Sequence, residues 1–349
     1  VSRALAVRTA PVALVVVAAL ALFASMAVAL GIGAVRVPTA DVVEVVLRRL
    51  NVGDFDVRLL DDQIVWQLRV PRGLGAAAVG AGLAICGVVL QALTRNDLAD
   101  PYLLGLSSGA GVGAVTVIVL GVSFAGFVGS TAVTAAALVG SLAALLLVLV
   151  ISVGRGGELP PARTVLAGVA VGQVATAYTS LIVIVDGDSH AARRVLEWTL
   201  GSVAGLRWPS ALVVTVVALL GVVFFSALAD HLDAFAFGET AARSLGVDVV
   251  RLRWVLLVGT AFVTAVLVAY AGAIGFVGLV VPHMVRAVVG PRHRLLLPLS
   301  ALVGATLLVL ADLGARTVVE GQEVPIGVVT AVIGAPFFAV LLRRSRSAT

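Results

Sequence analysis

Ten apolar stretches run through this chain with charge confined between them, at approximately 11–33, 70–93, 102–121, 127–153, 164–185, 209–229, 252–271, 274–289, 295–313 and 325–342. A helix of about twenty apolar residues crosses the hydrocarbon core of a bilayer, and the backbone groups it carries there must be satisfied within the segment. The pattern therefore predicts an all-α membrane protein of about ten transmembrane helices. Composition supports it, since 60% of residues are hydrophobic and 12% charged, where an average soluble domain is about a quarter charged. Residues 1–349 read as a single transmembrane domain. The stretches 274–289 and 325–342 are short and hold Pro282, Pro325 and Pro336, which predicts kinked or discontinuous helices buried among neighbours. The run 11–33 behind Arg3 and Arg8 imitates a signal peptide, but it is too long for a signal h-region and reads as the first span.

Composition also excludes several functions. The net charge is +5, yet the basic residues sit in short clusters and form no stripe, which argues against nucleic acid as a partner. Cys86 stands alone and rules out an intrachain disulfide. His190, His231, His283 and His293 lack ligand spacing, so neither a metal site nor a cofactor is expected. No His, Asp and Glu converge as a catalytic group would require, and the chain is not expected to be an enzyme.

Positive charge favours the cytoplasmic side of short loops. With the N-terminus inside, that side collects Arg3, Arg8, Arg95, Arg155, Arg163, Arg243, Arg251, Arg253, Arg286, Arg292, Arg294, Arg343, Arg344 and Arg346, against Arg193, Arg194, Arg207 and Arg316 in the short loops opposite. The segment 34–68 is then an extracytoplasmic connection, and both termini are cytoplasmic in a multi-pass protein of the cell membrane.

Residues 68–90 and 252–279 each open on Leu-Arg, continue as an Ala/Val/Gly helix and end at a glycine-rich break. An inverted repeat of helices two to five with helices seven to ten would place a transport path at the repeat interface. Chance likeness between low-complexity apolar helices would give the same impression. Gly105, Gly109 and Gly113, then Gly168 and Gly172, then Gly272, Gly275 and Gly278, stand at spacings that let helices approach closely. In the fifth span Gln173, Thr176 and Ser180 form a polar stripe at i, i+3 and i+7. Such a stripe either lines a path for polar cargo or bonds to a neighbouring helix.

Residues 229–254 are too polar to span. They carry Leu232, Phe235, Phe237 and Leu245 as apolar anchors and Glu239 with Arg243 at i, i+4, the pattern of short surface helices that dock into a partner's cleft.

The segment GETAARSLG (238–246) resembles the cytoplasmic coupling segment of the FecCD-type permeases, the pore subunits of type II ABC importers for ferric siderophores, haem and cobalamin. Further landmarks follow in order: LRVPR (68–72), QALTRNDLADPYLLGLSSGA (91–110), LAGVAVG (166–172), EWTLGSVAG (197–205), GAIGFVGLVVPHMVR (272–286), LLLPLSALVGA (295–305), ADLGART (311–317) and EVPIGVVTAVIGAPFF (323–338). The resemblance implies a type II ABC importer permease fold with inverted-repeat character. It implies as partners a second permease subunit (a copy of itself or a homologous chain), two ATPase subunits, an extracytoplasmic substrate-binding protein and membrane lipid. ATP hydrolysis falls to the partner, because the chain has no lysine and hence no P-loop lysine.

Carried over residue by residue, the resemblance makes 230–251 cytoplasmic coupling helices, with Leu232, Phe235, Gly238, Glu239, Ala242, Arg243, Leu245 and Gly246 as ATPase-coupling positions. Arg69, Arg72 and Arg316 match positions that in cobalamin-importing members meet acidic residues of the binding protein. The alternatives are an intrahelical pair of Arg316 with Asp312 and headgroup contact for Arg69 and Arg72. Asn96 and Leu98, with Pro161 and Ala162, match the cytoplasmic gate. Two departures stand out: the usual Asn-Pro-Leu reads Asn96-Asp97-Leu98, and Pro161-Ala162 replaces a hydroxyl-bearing position. The expected cargo is a metal chelate, a ferric siderophore first, with haem or cobalamin as alternatives. An ion-coupled secondary transporter is the alternative of a different class, although the spans hold almost no carboxylate besides Asp312.

Overall fold

A computed structural model describes residues 2–33, 35, 37–53, 55–154, 156–319 and 321–346, with side chains between 11 and 339 apart from Ala236. Arg36 and Arg155 lie outside the described residues, as do the side chains of Arg3, Arg8, Arg343, Arg344 and Arg346.

Helix α1 (Ser2–Gly31) is followed by the short α2 (Thr39–Arg49) and α3 (Leu59–Asp62). A π-helical stretch, Gln63–Arg69, then runs straight into α4 (Val70–Thr94). The second transmembrane helix thus begins about ten residues earlier than hydropathy suggests, and the connection expected over 34–68 is helical in its last part. After a 3₁₀ turn at Pro101–Leu104 come α5 (Leu106–Leu120), α6 (Gly129–Ser152), α7 (Pro161–Asp186), α8 (Ser189–Leu200) and α9 (Trp208–Ala227). Two short helices, α10 (Ala229–Ala236) and α11 (Glu239–Ser244), lead to α12 (Val249–Ala271), α13 (Val277–Val289), α14 (His293–Thr317) and α15 (Ile326–Arg346).

Seven of these helical segments are long and apolar enough to cross a membrane, and three shorter apolar helices, Leu106–Leu120, Val277–Val289 and Ile326–Ala339, make up the ten expected. The third span is shorter than the expected 102–121 because Gly105, with φ near +73°, turns the chain between the 3₁₀ turn and α5. Phe276 adopts φ near +70° at the start of α13, a conformation unusual for a side chain of that size.

The halves repeat one order of elements. A long helix (α4 or α12) is followed by a break, a short helix (α5 or α13) and two further helices (α6 and α7, or α14 and α15). They interlock, since α4 packs on α13 and α14 of the second half while α12 packs on α5 and α6 of the first.

Helix α4 is the most buried span. It can sit there because glycines remove side chains where backbones meet. A Cβ on Gly80 would strike the Gly304 carbonyl of α14, and one on Gly87 would strike the Gly278 carbonyl of α13. Gly109 and Gly113 of α5 press on Gly140 and Ala136 of α6 in the same manner. Without a water-driven hydrophobic force between helices in lipid, such close van der Waals contact carries association.

Gly87→Val is expected to prevent stable accumulation, because the added atoms overlap backbone that cannot give way. Gly205→Ala, where nothing lies within 4 Å, is expected to change stability by less than about 0.5 kcal/mol. The amount recovered in membranes reads the first, and thermal unfolding in detergent the second.

Candidate functional site

Helix α7 stands at the margin of the bundle, with 11% of its apolar window buried. Gln173, Thr176 and Ser180 are all exposed on it. Gln173 and Thr176 line a groove with Tyr102, Leu103, Gly105, Ser108, Gly168, Val169 and Gly172, and Ser180 lies outside those lining residues. The Thr176 hydroxyl donates to the Gly172 carbonyl at 2.9 Å, within its own helix. Amide and hydroxyl groups exposed on a membrane-spanning helix are unfavourable against lipid, so this face suits a second subunit or an aqueous path.

At one end of α4 lies the expected gate. Arg95 closes the helix in a left-handed conformation, and the Asn96 side chain accepts the Leu98 amide at 3.0 Å. Leu98 is exposed. Pro161 starts α7 and shares a small apolar cavity with Thr94 and Ala99, which flank that loop, while Ala162 is exposed beside it. The departure at Asp97 has a partner: Arg286 of α13 donates to it at 2.6 Å and to the Gln91 side chain at 3.1 Å. The sequence marks Asp97 only as a departure from the family pattern and gives no sign of this ion pair, because residues 97 and 286 meet through the packing of α13 on α4.

At the other end of α4 the three arginines come together, each with partners inside the chain. Arg72 bonds both Asp312, at 2.9 and 3.0 Å, and Glu323, at 2.9 Å. Arg316 pairs with Asp312 at 3.2 Å, the intrahelical alternative, and also reaches the Ala29 and Ile32 carbonyls. Arg69 donates to the carbonyls of Leu30, Gly31 and Val35. The side chains of Arg72, Arg316 and Asp312 are 13%, 7% and 2% exposed. The reason is electrostatic. A carboxylate buried on α14 needs cationic partners, and the free carbonyls at the C-terminal end of α1 need donors. Two guanidiniums meet the first need and two meet the second.

The coupling segment divides by face. Leu232, Phe235 and Ala242 are buried against the bundle, correcting the expectation that Leu232 and Phe235 are exposed anchors. Phe237 and Leu245, 78% and 68% exposed, are the outward ones. Gly238 and Gly246, with φ near +94° and +83°, set the turns on either side of α11. Glu239 accepts from Arg253 of α12 at 2.7 Å, and that hydrogen bond holds its carboxyl below the usual carboxylate range. Arg243 lies 4.0 Å from Glu239, as the i, i+4 spacing predicts. Gly238 lies beside the Arg95 side chain, so the coupling segment and the gate loop share one end of the bundle.

Residues 19–344 match the FecCD transport family. The chain belongs to this family. Among curated relatives, the FecCD chain is 44% identical over 286 residues to the cobalamin import system permease protein BtuC of Halobacterium salinarum, covering 80% of this chain and 73% of that one. It is 42% identical to the vitamin B12 import system permease protein BtuC of Vibrio cholerae (82% and 84% covered), and 40% identical to the uncharacterized ABC transporter permease YvrB of Bacillus subtilis (80% and 79%). A solved structure described as an inward-facing conformation of a metal-chelate type ABC transporter superposes with TM-score 0.81 at 31% identity, covering 95% of this chain and 98% of that one. The Streptococcus pneumoniae PsaBC complex, at 17% identity and TM-score 0.55, shares the fold.

This FecCD chain is accordingly a multi-pass membrane permease of a type II ABC importer, and such a permease works with ATPase subunits, a binding protein and a second permease subunit. The iron-chelate expectation is not confirmed, and the two BtuC relatives are named for cobalamin or vitamin B12. Asp312, the carboxylate the ion-coupled alternative would call on, is held between two guanidiniums.

Asp312→Leu leaves Arg316 without a carboxylate partner and Arg72 with Glu323 alone, and is expected to cost about 3 kcal/mol. Replacing Arg72, Asp312 and Arg316 together by apolar residues of similar volume is expected to cost less. Thermal unfolding of the purified proteins compares the two.

Proposed function

We propose that this chain is the membrane-spanning subunit of an importer for cobalamin or a close corrinoid, delivered by a binding protein and driven by separate ATPases. The observation that carries this reading is the 44% and 42% identity, over most of each chain, to two permeases named for cobalamin. The groove beside α7 supports it chemically. Its lining of glycines, Ser108, Gln173, Thr176 and Tyr102 is polar but uncharged, suited to a bulky chelate whose metal is already fully coordinated. Gln173, Thr176 and the exposed Ser180 line the path in this reading, and Asn96, Leu98, Pro161 and Ala162 border its cytoplasmic end.

The ATPases act on α10 and α11, at the cytoplasmic face. Phe237 and Leu245 seat in the ATPase cleft, while Leu232, Phe235 and Ala242 fasten the segment to the bundle. Both termini are then cytoplasmic, and the arginine cluster lies about 36 Å away along α4, at the outer face.

In proteoliposomes containing the assembled importer, ATP-dependent uptake of cyanocobalamin is expected to exceed that of ferric siderophores by at least about tenfold. Equal or reversed uptake overturns the cargo assignment. Gln173→Leu with Thr176→Leu should lower uptake while assembly is retained. Phe237→Ser with Leu245→Ser should weaken ATPase association by about thirtyfold, the loss typical of central apolar anchors, as read by copurification; undiminished association overturns the cytoplasmic assignment of this segment.

A further inference from the structure

Helix α14 has no cap of its own. Its N-cap residue, Arg292, makes no side-chain hydrogen bond to the first turn, and that turn holds no acid, although the first amides of a helix need acceptors. The acceptor comes from α10. Asp233 takes the His293 backbone amide at 2.9 Å and the His293 ring Nδ1 at 2.6 Å on one carboxylate oxygen. His293 is 5% exposed, and its Nε2 has no partner among the described residues, consistent with a neutral ring that donates through Nδ1. One turn earlier on the same face of α10, Asp230 grips Arg294 with two bonds of 2.7 Å. The coupling segment also packs on α4, α9 and α12; of these α12 begins beside it, and it is capped by its own Asp248 at 3.0 Å.

From that first turn α14 continues for 25 residues, about 37 Å. Midway, Gly304 meets Gly80 of α4 backbone to backbone. Near its far end, Asp312 is bonded to Arg72 of α4. Helix α4 in turn ends in the loop that carries Asn96 and Leu98. A rod held by α10 at one end and keyed to α4 at its middle and far end transfers displacement of α10 to α4, because close-packed helices move as units.

We infer that α10 and α14 move as one body during the transport cycle, and that Asp233, by capping α14 from a different helix, is the positioning residue that joins them. This inference rests on the proposal above that α10 and α11 face the ATPases. It assigns the signal between binding protein and ATPase to α14, with Glu239 and Arg253 as a separate tie to α12.

The test uses the complete importer in detergent, with stimulation of ATP hydrolysis on adding binding protein as a readout that needs no identified cargo. Asp233→Ala is expected to lower the stimulation about tenfold, within the range of measured coupling effects, while ATPase copurification persists. Asp233→Asn, which keeps an acceptor oxygen for the His293 amide, should retain most of it. Asp233→Cys with His293→Cys should behave as Asp233→Ala when reduced and regain stimulation when oxidised to a disulfide; buried Cys86 does not compete. Undiminished stimulation in Asp233→Ala overturns the proposal, as does an oxidised pair that stays silent. If Asp233→Ala does not accumulate, the oxidised and reduced forms of the cysteine pair decide. Loss of ATPase copurification in Asp233→Ala also overturns it, by making Asp233 a direct ATPase contact, whereas persistence of copurification in the Phe237 and Leu245 variant strikes the proposal it rests on instead.

Discussion

Helix α4 passes through the middle of the bundle with backbone against backbone, and most of the remaining architecture depends on that contact. Glycine at positions 80 and 87 lets α14 and α13 approach closely enough for carbonyl oxygens to occupy the space of a side chain. In lipid, where apolar side chains gain little by leaving the solvent, dispersion at such short range is what holds helices together. Because α13 and α14 belong to the second half of the chain, this contact also locks the halves into one another.

The polar groups then fall into two clusters at opposite ends of α4. One, around Asp312, neutralises a buried carboxylate with Arg72 and Arg316 and closes the end of α1 with Arg69 and Arg316. The other joins the gate loop and the coupling helices to α12, α13 and α14 through Asp97, Glu239 and Asp233. Single ion pairs of this kind contribute little at an exposed surface. Here Arg72 with Asp312, Asp97 with Arg286 and Asp233 with His293 bridge elements distant in the chain, so they fix the relative position of the helices they join.

Much of this was legible in the chain itself. The ten apolar stretches follow from the bilayer's thickness, whereas the pattern of 229–254 marked Leu232, Phe235, Phe237 and Leu245 alike as anchors and did not tell which two face outward. The repeated order of elements also shows in the likeness of 68–90 to 252–279. Less legible was the early start of the second span, because Leu59–Arg69 mixes acids and arginine with apolar residues and hydropathy averages them away. The Arg316–Asp312 pair is legible from its i, i+4 spacing, but the ties of Arg69 and Arg316 to the end of α1 are not, since nothing local announces that α1 ends beside them.

What the sequence by itself determined is membrane insertion, the number of apolar spans and the absence of a phosphate-binding lysine, because these follow from local composition and from backbone hydrogen bonding in a solvent without water. Tertiary structure alone decided which charges are paired, which anchors turn inward and which helix receives its cap from another. Those outcomes depend on residues as far apart as 72 and 312 or 233 and 293 meeting in space, and a meeting of that kind is a property of helix packing with no trace in the spacing along the chain.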